Sequence, residues 1–178
     1  MSNLLFELGV EELPASFIRK ASADLEREIL MRLEEAGIWK PSENAAAERY
    51  ATPRRLIVHV PDVNERQEDT VKEVRGPSMQ AAYDSEGKPS RALEGFCRGQ
   101  GVDVADLRND GEYVWADKKV VGKETGELLK ELLPESVRAL TFSKSMRWGS
   151  ARMRFARPIR WILACFGGEI ISFEIEGV

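Results

Sequence analysis

A chain of 178 residues is long enough for one sizeable core or two small ones packed together, and 43% hydrophobic with 31% charged residues describes a folded chain and not a disordered one. No run approaches the ~18 apolar residues needed to cross a bilayer, and MSNLLFELGVEELP turns acidic at once with no basic start, so it does not read as a signal peptide. The net charge of -4 excludes nucleic-acid binding by overall field and leaves only a local patch as a route to it.

In chain order, NLLFEL (3–8) reads as a short strand. Pro14 then stands where a first helical turn tolerates proline, with Glu11 and Glu12 near the positive helix end. Phe17, Ala21, Leu25, Ile29 and Leu33 recur every four residues, with Ile18 and Leu30 beside them, which predicts an amphipathic helix stopped by Gly37. KPSENAAAE is a connector. Beyond it, Arg55, Ile57 and His59 alternate against Leu56, Val58 and Val60, a half-buried strand bracketed by Pro53 and Pro61. Residues 64–78 show no clean period, and TVKEVRG is compatible with a further strand.

A turn is expected at Glu86-Gly87, then a short helix around Ser90–Arg98 ended by Gly99 and Gly101, then a helical turn at VADLR. NDG (109–111) opens a hairpin or exposed strand pair through EYVWADKKVVG. ETGELLKELLPESVRAL is expected to be helical and broken or kinked near Pro134. IRWILACF and EIISFEI flank Gly167-Gly168 as a β-hairpin.

No strict βαβ alternation is present, so the fold class expected is α+β. It would hold a mixed or antiparallel sheet with packed helices, as one unit or as two small lobes, 1–75 and 76–178. The last strand has nothing after it to cover it, so the chain is expected to be a piece of a longer protein. The alternative is a natural terminus with that strand at a sheet edge.

Catalytic constellations are scarce. His59 is the single histidine and falls in a predicted strand, and C-x-x-C is absent, so neither a zinc site nor a histidine-activated nucleophile is indicated. Phosphate-cradling glycine patterns are missing as well. Glu11 and Glu12 are explained by the helix start, and Asp103, Asp106 and Asp110 lack the spacing of a calcium loop. Cys97 and Cys165 lie in apolar surroundings, where reduced thiols in a cytosolic protein are expected over a disulfide.

Charge is the feature that stands out. Residues 143–161, SKSMRWGSARMRFARPIRW, carry Lys144, Arg147, Arg152, Arg154, Arg157 and Arg160 with no acid, whereas residues 1–142 carry a net -7. Arginine gives bidentate contacts to phosphate, and aromatics stack on bases or guanidinium planes. The same residues also suit a protein interface, where arginine and tryptophan serve as anchors. A third reading is an ordinary strand, with Arg152, Arg154 and Arg160 solvated and Met153, Phe155, Ile159 and Trp161 buried. Composition leaves all three open.

Four blocks in this order, LLFELGVEELPA, ATPRRLIV, RGPSMQAAYDSEGKPSRALEGFCRGQGV, and KSMRWG followed by RFARPIRWIL, resemble the N-terminal region of the bacterial glycyl-tRNA synthetase beta subunit. The likeness runs from residue 4 to about residue 175, and one departure is Val10, where the family often has threonine. The resemblance implies a cytoplasmic two-subunit ligase, assembled as a heterotetramer, that joins glycine to tRNA-Gly with ATP and magnesium. Its alpha subunit would carry the chemistry, the ATP and the magnesium, leaving this region no cofactor of its own and no membrane contact. The expected partners are the alpha subunit, tRNA-Gly and the remainder of the beta subunit.

On residue type and local charge, the expected RNA contacts are Lys144, Arg147, Arg152, Arg154 and Arg157, with Arg54 and Arg55 as a smaller cluster. Trp148 is expected to stack on a base or to anchor a subunit contact. The alternative function is a purely structural, protein-interacting module without RNA contact.

Overall fold

The computed structural model describes residues 1–42, 46–84 and 87–178. The chain divides into two compact units, one formed by residues 1–67 and 123–178 and the other by residues 68–122. Residue 75, the lobe boundary expected from sequence, lies inside a strand of the second unit.

In the first unit, β1 (Ser2–Val10) leads into α1 (Ala15–Glu35), with Pro14 as its N-cap. The connector predicted at 40–48 includes residues 43–45, which lie outside the described residues. β2 (Glu48–Thr52) and β3 (Arg55–Val63) then form a hairpin around Pro53-Arg54. Pro61 does not bracket β3 but lies within it. Register slips between the pairs Ser2–Val63 and Leu4–Val60, so Pro61 and Asp62 occupy an irregularity where a missing N–H costs nothing.

The second unit is a three-stranded sheet with helices packed on it. β4 (Thr70–Ser78) is followed by the single turn α2 (Met79–Ala82) and by α3 (Arg91–Gln100). Glu86 of the expected turn is outside the described residues. Ser90 caps α3 by accepting the Leu93 N–H at 3.3 Å, and Gly101 closes it in the left-handed region. A 3-10 turn at Val104–Asp106 precedes the hairpin of β5 (Arg108–Asn109) and β6 (Tyr113–Val120), and the sheet order is β4-β6-β5. Leu93, Cys97, Ala82 and Val114 form its core.

Back in the first unit, α4 (Thr125–Arg138) runs unbroken through Pro134. Leu129, Leu133 and Val137 are fully buried around that proline, and this packing outweighs the one hydrogen bond the ring removes. The chain ends with β7 (Met146–Arg147), β8 (Arg154–Phe155), β9 (Ile159–Phe166) and β10 (Glu169–Ile170). Gly167 and Gly168 both take positive φ, as a two-residue hairpin turn requires, but EIISFEI pairs over only two residues. The five-stranded antiparallel sheet has the order β10-β9-β1-β3-β2, which with the helices makes the fold α+β.

Alternation in β1 decides which side of that sheet is covered. Leu4, Phe6 and Leu8 are buried in one cluster with Leu25, Ile29 and Leu33 of α1 and Leu129 and Leu133 of α4. Leu5 and Glu7 face the opposite way, away from α1 and α4. The register sets Cys165, Leu5 and His59 in one row there, Leu163, Glu7 and Ile57 in the next, and Trp161, Gly9 and Arg55 in a third. Leu5 and Leu163 are each 38% exposed, and Tyr50 and Ile170 stand further out on the flanking strands.

Candidate nucleic-acid interface

The basic stretch folds as a small hairpin that the core holds in place. Phe155 is buried and meets the Phe142 ring edge-on at 4.7 Å, and Phe142 in turn lies 5.9 Å from Phe17 of α1. Trp148 is half-buried against the same core and donates its Nε1–H to the Phe155 carbonyl at 3.0 Å. Its N–H and much of its ring are therefore engaged in the fold, which makes it an anchor of the hairpin more than a free stacking surface.

The cations differ in what they face. Arg54 lies 3.8 Å from a Glu11 carboxylate oxygen and Arg160 lies 3.2 Å from the other. Arg55 lies 3.8 Å from Glu7 and 5.7 Å from the Trp161 ring. The expected Arg54–Arg55 cluster is thus split, with Arg55 on the open sheet side and each arginine already paired. By contrast, among the described residues Lys144, Arg147, Arg152, Arg154 and Arg157 have no carboxylate within ion-pairing distance of their side chains.

Those five lie on the hairpin and its two flanks. Arg147 and Arg154 are directly opposite across the two strands, an arrangement that destabilises like charges unless something neutralises them. Arg154 donates to the Ser145 carbonyl and, at 3.4 Å, to its hydroxyl. Arg157 gives its Nε–H to the Glu12 carbonyl at 3.0 Å, which leaves the rest of the guanidinium fork unpaired. Arg152 is exposed in the connecting loop, where its backbone N–H reaches Glu176 at 2.6 Å.

Folding also assembles something that charge spacing does not reveal. Pro14 and Phe17 from the start of α1, Met146 and Trp148 from the hairpin, and Ala156 form the walls of a cleft of about 240 Å³, with Lys144, Ser145 and Arg157 completing it. No acid lines it. The first turn of α1 beside it has no acidic residue and no side-chain cap. Arg157 and Pro14 are shared with a neighbouring hollow that holds Glu11, Glu12 and Arg54. Pro14 and Phe17 read in the sequence as helix start and apolar helix face, and Ala156 carried no signal there at all.

Other candidates fall away. Trp161, which the ordinary-strand reading would bury, is 36% exposed and lies on the open sheet side. His59 is on that side too, 3.7 Å from Glu48, and Leu5 of the intervening strand separates it from Cys165. Both cysteines are free. Among the described residues no group of three or more His, Cys, Asp or Glu side chains is placed to hold a metal ion, and no helix is long and apolar enough to cross a membrane.

Comparison with known proteins bears on the whole chain. A family model described as glycyl-tRNA synthetase beta subunit matches residues 4–178. The glycine–tRNA ligase beta subunit of Syntrophus aciditrophicus is 44% identical over 183 residues, covering 100% of this chain and 26% of the relative. That of Geobacter metallireducens is 46% identical over 182 residues, covering 100% and 26%, and that of Moorella thermoacetica is 42% identical over 180 residues, covering 99% and 25%. The chain therefore spans about a quarter of the length of the curated relatives it matches. With the match continuous from Leu4 to Val178, the chain belongs to the glycyl-tRNA synthetase beta subunit family.

Proposed function

We propose that this chain serves a cytoplasmic glycine–tRNA ligase as a tRNA-binding and assembly region, while the alpha subunit performs the ATP- and magnesium-dependent chemistry on glycine. The observation that carries this reading is the set of five cations, Lys144, Arg147, Arg152, Arg154 and Arg157, whose side chains have no carboxylate partner among the described residues of a protein of net charge -4. Acids are plentiful in the chain, so cations held apart from them, with Arg147 set against Arg154, suit a polyanion that approaches from outside. Holding tRNA-Gly so that its acceptor end reaches the alpha subunit is catalysis by positioning.

The test is a titration of tRNA-Gly at several salt concentrations against the chain and its Arg147→Ala/Arg152→Ala/Arg154→Ala variant. Each lost phosphate contact lowers the slope of log K against log salt by about 0.7 to 0.9. The variant is expected to lose roughly 2 units of slope, on the order of two or three contacts of that size. Unchanged affinity and slope overturn the reading.

A second reading, a protein-docking module, is favoured by one observation: the open side of the five-stranded sheet exposes Leu5, Leu163, Tyr50 and Ile170. Under it, Leu5→Lys/Leu163→Lys weakens association with the alpha subunit or the rest of the beta subunit and leaves tRNA affinity alone.

A further inference from the structure

The cleft between the start of α1 and the β7–β8 hairpin is more selective than a basic patch. A patch of cations neutralises phosphate on any nucleic acid, paired or not. This cleft adds a floor of Pro14, Phe17, Met146, Trp148 and Ala156 to two cations, Lys144 and Arg157, that form no ion pair with a carboxylate among the described residues. At about 240 Å³ it lies below the ~300 Å³ where drug-sized ligand pockets begin, which suits one flat ring system and little more. A base inside a duplex cannot enter such a space without leaving its stack.

Resting on the RNA-binding reading above, we infer that this cleft takes a single unpaired nucleotide of the bound RNA. The base lies on the apolar floor beside the half-buried Trp148, and the phosphate lies between Lys144 and Arg157. The strand then continues over Arg147 and Arg154, because Arg154 is tied to Ser145, a residue of the cleft wall. An acidic peptide with one aromatic residue is the competing occupant. The opposed Arg147–Arg154 pair favours the polyanion, since one carboxylate in the cleft leaves that pair unneutralised.

The test is fluorescence anisotropy with the full chain and a labelled short oligoribonucleotide, used single-stranded, annealed to its complement, and single-stranded with abasic positions. The single strand is expected to bind about tenfold more tightly than the duplex, and abasic positions are expected to remove most of that advantage. Two variants keep the result independent of folding, because both residues are exposed. Lys144→Ala and Met146→Glu, the second placing an acid in the cleft, are expected to bring single strand and duplex to similar affinities. Arg147→Ala/Arg154→Ala is expected to weaken both alike.

Equal, salt-sensitive binding of single strand and duplex by the unaltered chain overturns the cleft assignment and leaves the RNA reading standing. No salt-sensitive binding of either overturns both. Displacement by an acidic aromatic peptide in a Lys144-dependent way, with the RNA preference insensitive to Lys144, also overturns the assignment.

Discussion

The indole of Trp161 lies flat across Gly9 on the neighbouring strand, so close that a Cβ built at Gly9 falls 2.0 Å from its ring atoms. Its Nε1–H is donated to Glu7 at 2.7 Å, and the Arg55 guanidinium stands 5.7 Å from the ring centre. A missing side chain on β1 thus lets one aromatic residue cover backbone that three strands share. Gly9→Ala is expected to destabilise the first unit by about 1–3 kcal/mol, the usual cost of overpacking. Urea unfolding checks this, and the double variant Gly9→Ala/Trp161→Ala is expected to lose less than the sum of the singles.

The two sides of β1 predict a sharp contrast between adjacent leucines. Leu4 is fully buried, and Leu4→Ala is expected to cost about 2–5 kcal/mol. Leu5, 38% exposed, is expected to cost under about 1 kcal/mol when replaced by alanine. Denaturation of the two variants measures the difference directly, and equal losses would show that the open side is in fact packed.

Asp110 ties the β5–β6 turn together. Its carboxylate accepts the Tyr113 N–H at 2.7 Å, the Trp115 Nε1–H at 2.8 Å and the Glu112 N–H at 2.9 Å. These bonds, the Tyr113 N–H foremost, favour the charged form and lower the pKa from 3.8 to about 2. A depressed carboxylate contributes stability above its unfolded pKa and loses it as pH falls through the folded one. The difference in urea midpoint between the chain and Asp110→Asn is therefore expected to be constant near neutrality, to shrink below about pH 4 and to close towards pH 2. A difference that persists at pH 2 would place the effect outside this carboxylate.

The two thiols are expected to react at different rates. Burial first, and the negative charge of Asp103 second, push the Cys97 thiol up from 9.0, and the residue is 6% exposed. Cys165 is half-buried on the open sheet side. A chromogenic disulfide reagent is expected to modify one thiol per folded chain, and the second after denaturation. Cys165→Ser should remove the fast phase; if Cys97→Ser removes it instead, the burial argument fails.

Local order was readable from the chain itself wherever one side chain repeats or one cap decides. The four-residue rhythm of Ala21, Leu25, Ile29 and Leu33, the Ser90 and Gly101 ends of α3, and the Gly167-Gly168 turn each act over a few residues. Pairing between β1 and β9 was not readable, because nothing near Leu4 specifies Phe166 as its neighbour. Pro61 and Pro134 misled for the same reason, since each is tolerated by packing that comes from elsewhere in the chain.

The candidate site divides along the same line. Clustered arginines are visible as composition, but which of them remain unneutralised depends on Glu7 and Glu11, some 150 positions away from Arg160. The cleft needs Pro14 and Phe17 beside Met146 and Ala156, a meeting that only the folded chain produces.

The path of the chain between the two units has a consequence for how the protein comes off the ribosome. Gln67 and Lys123 hydrogen-bond to each other through their backbones at 2.9 Å, and Thr125 bonds back to Glu65, so the chain leaves and re-enters the first unit at one place. Everything the second unit needs is contiguous and has emerged by residue 122. The first unit must wait for β9, because the central strand β1, synthesised first, lacks one of its two partners until residue 166. Nascent chains are thus expected to carry a folded middle and an unfinished beginning, with Leu4, Phe6 and Leu8 the residues most in need of shelter during that interval.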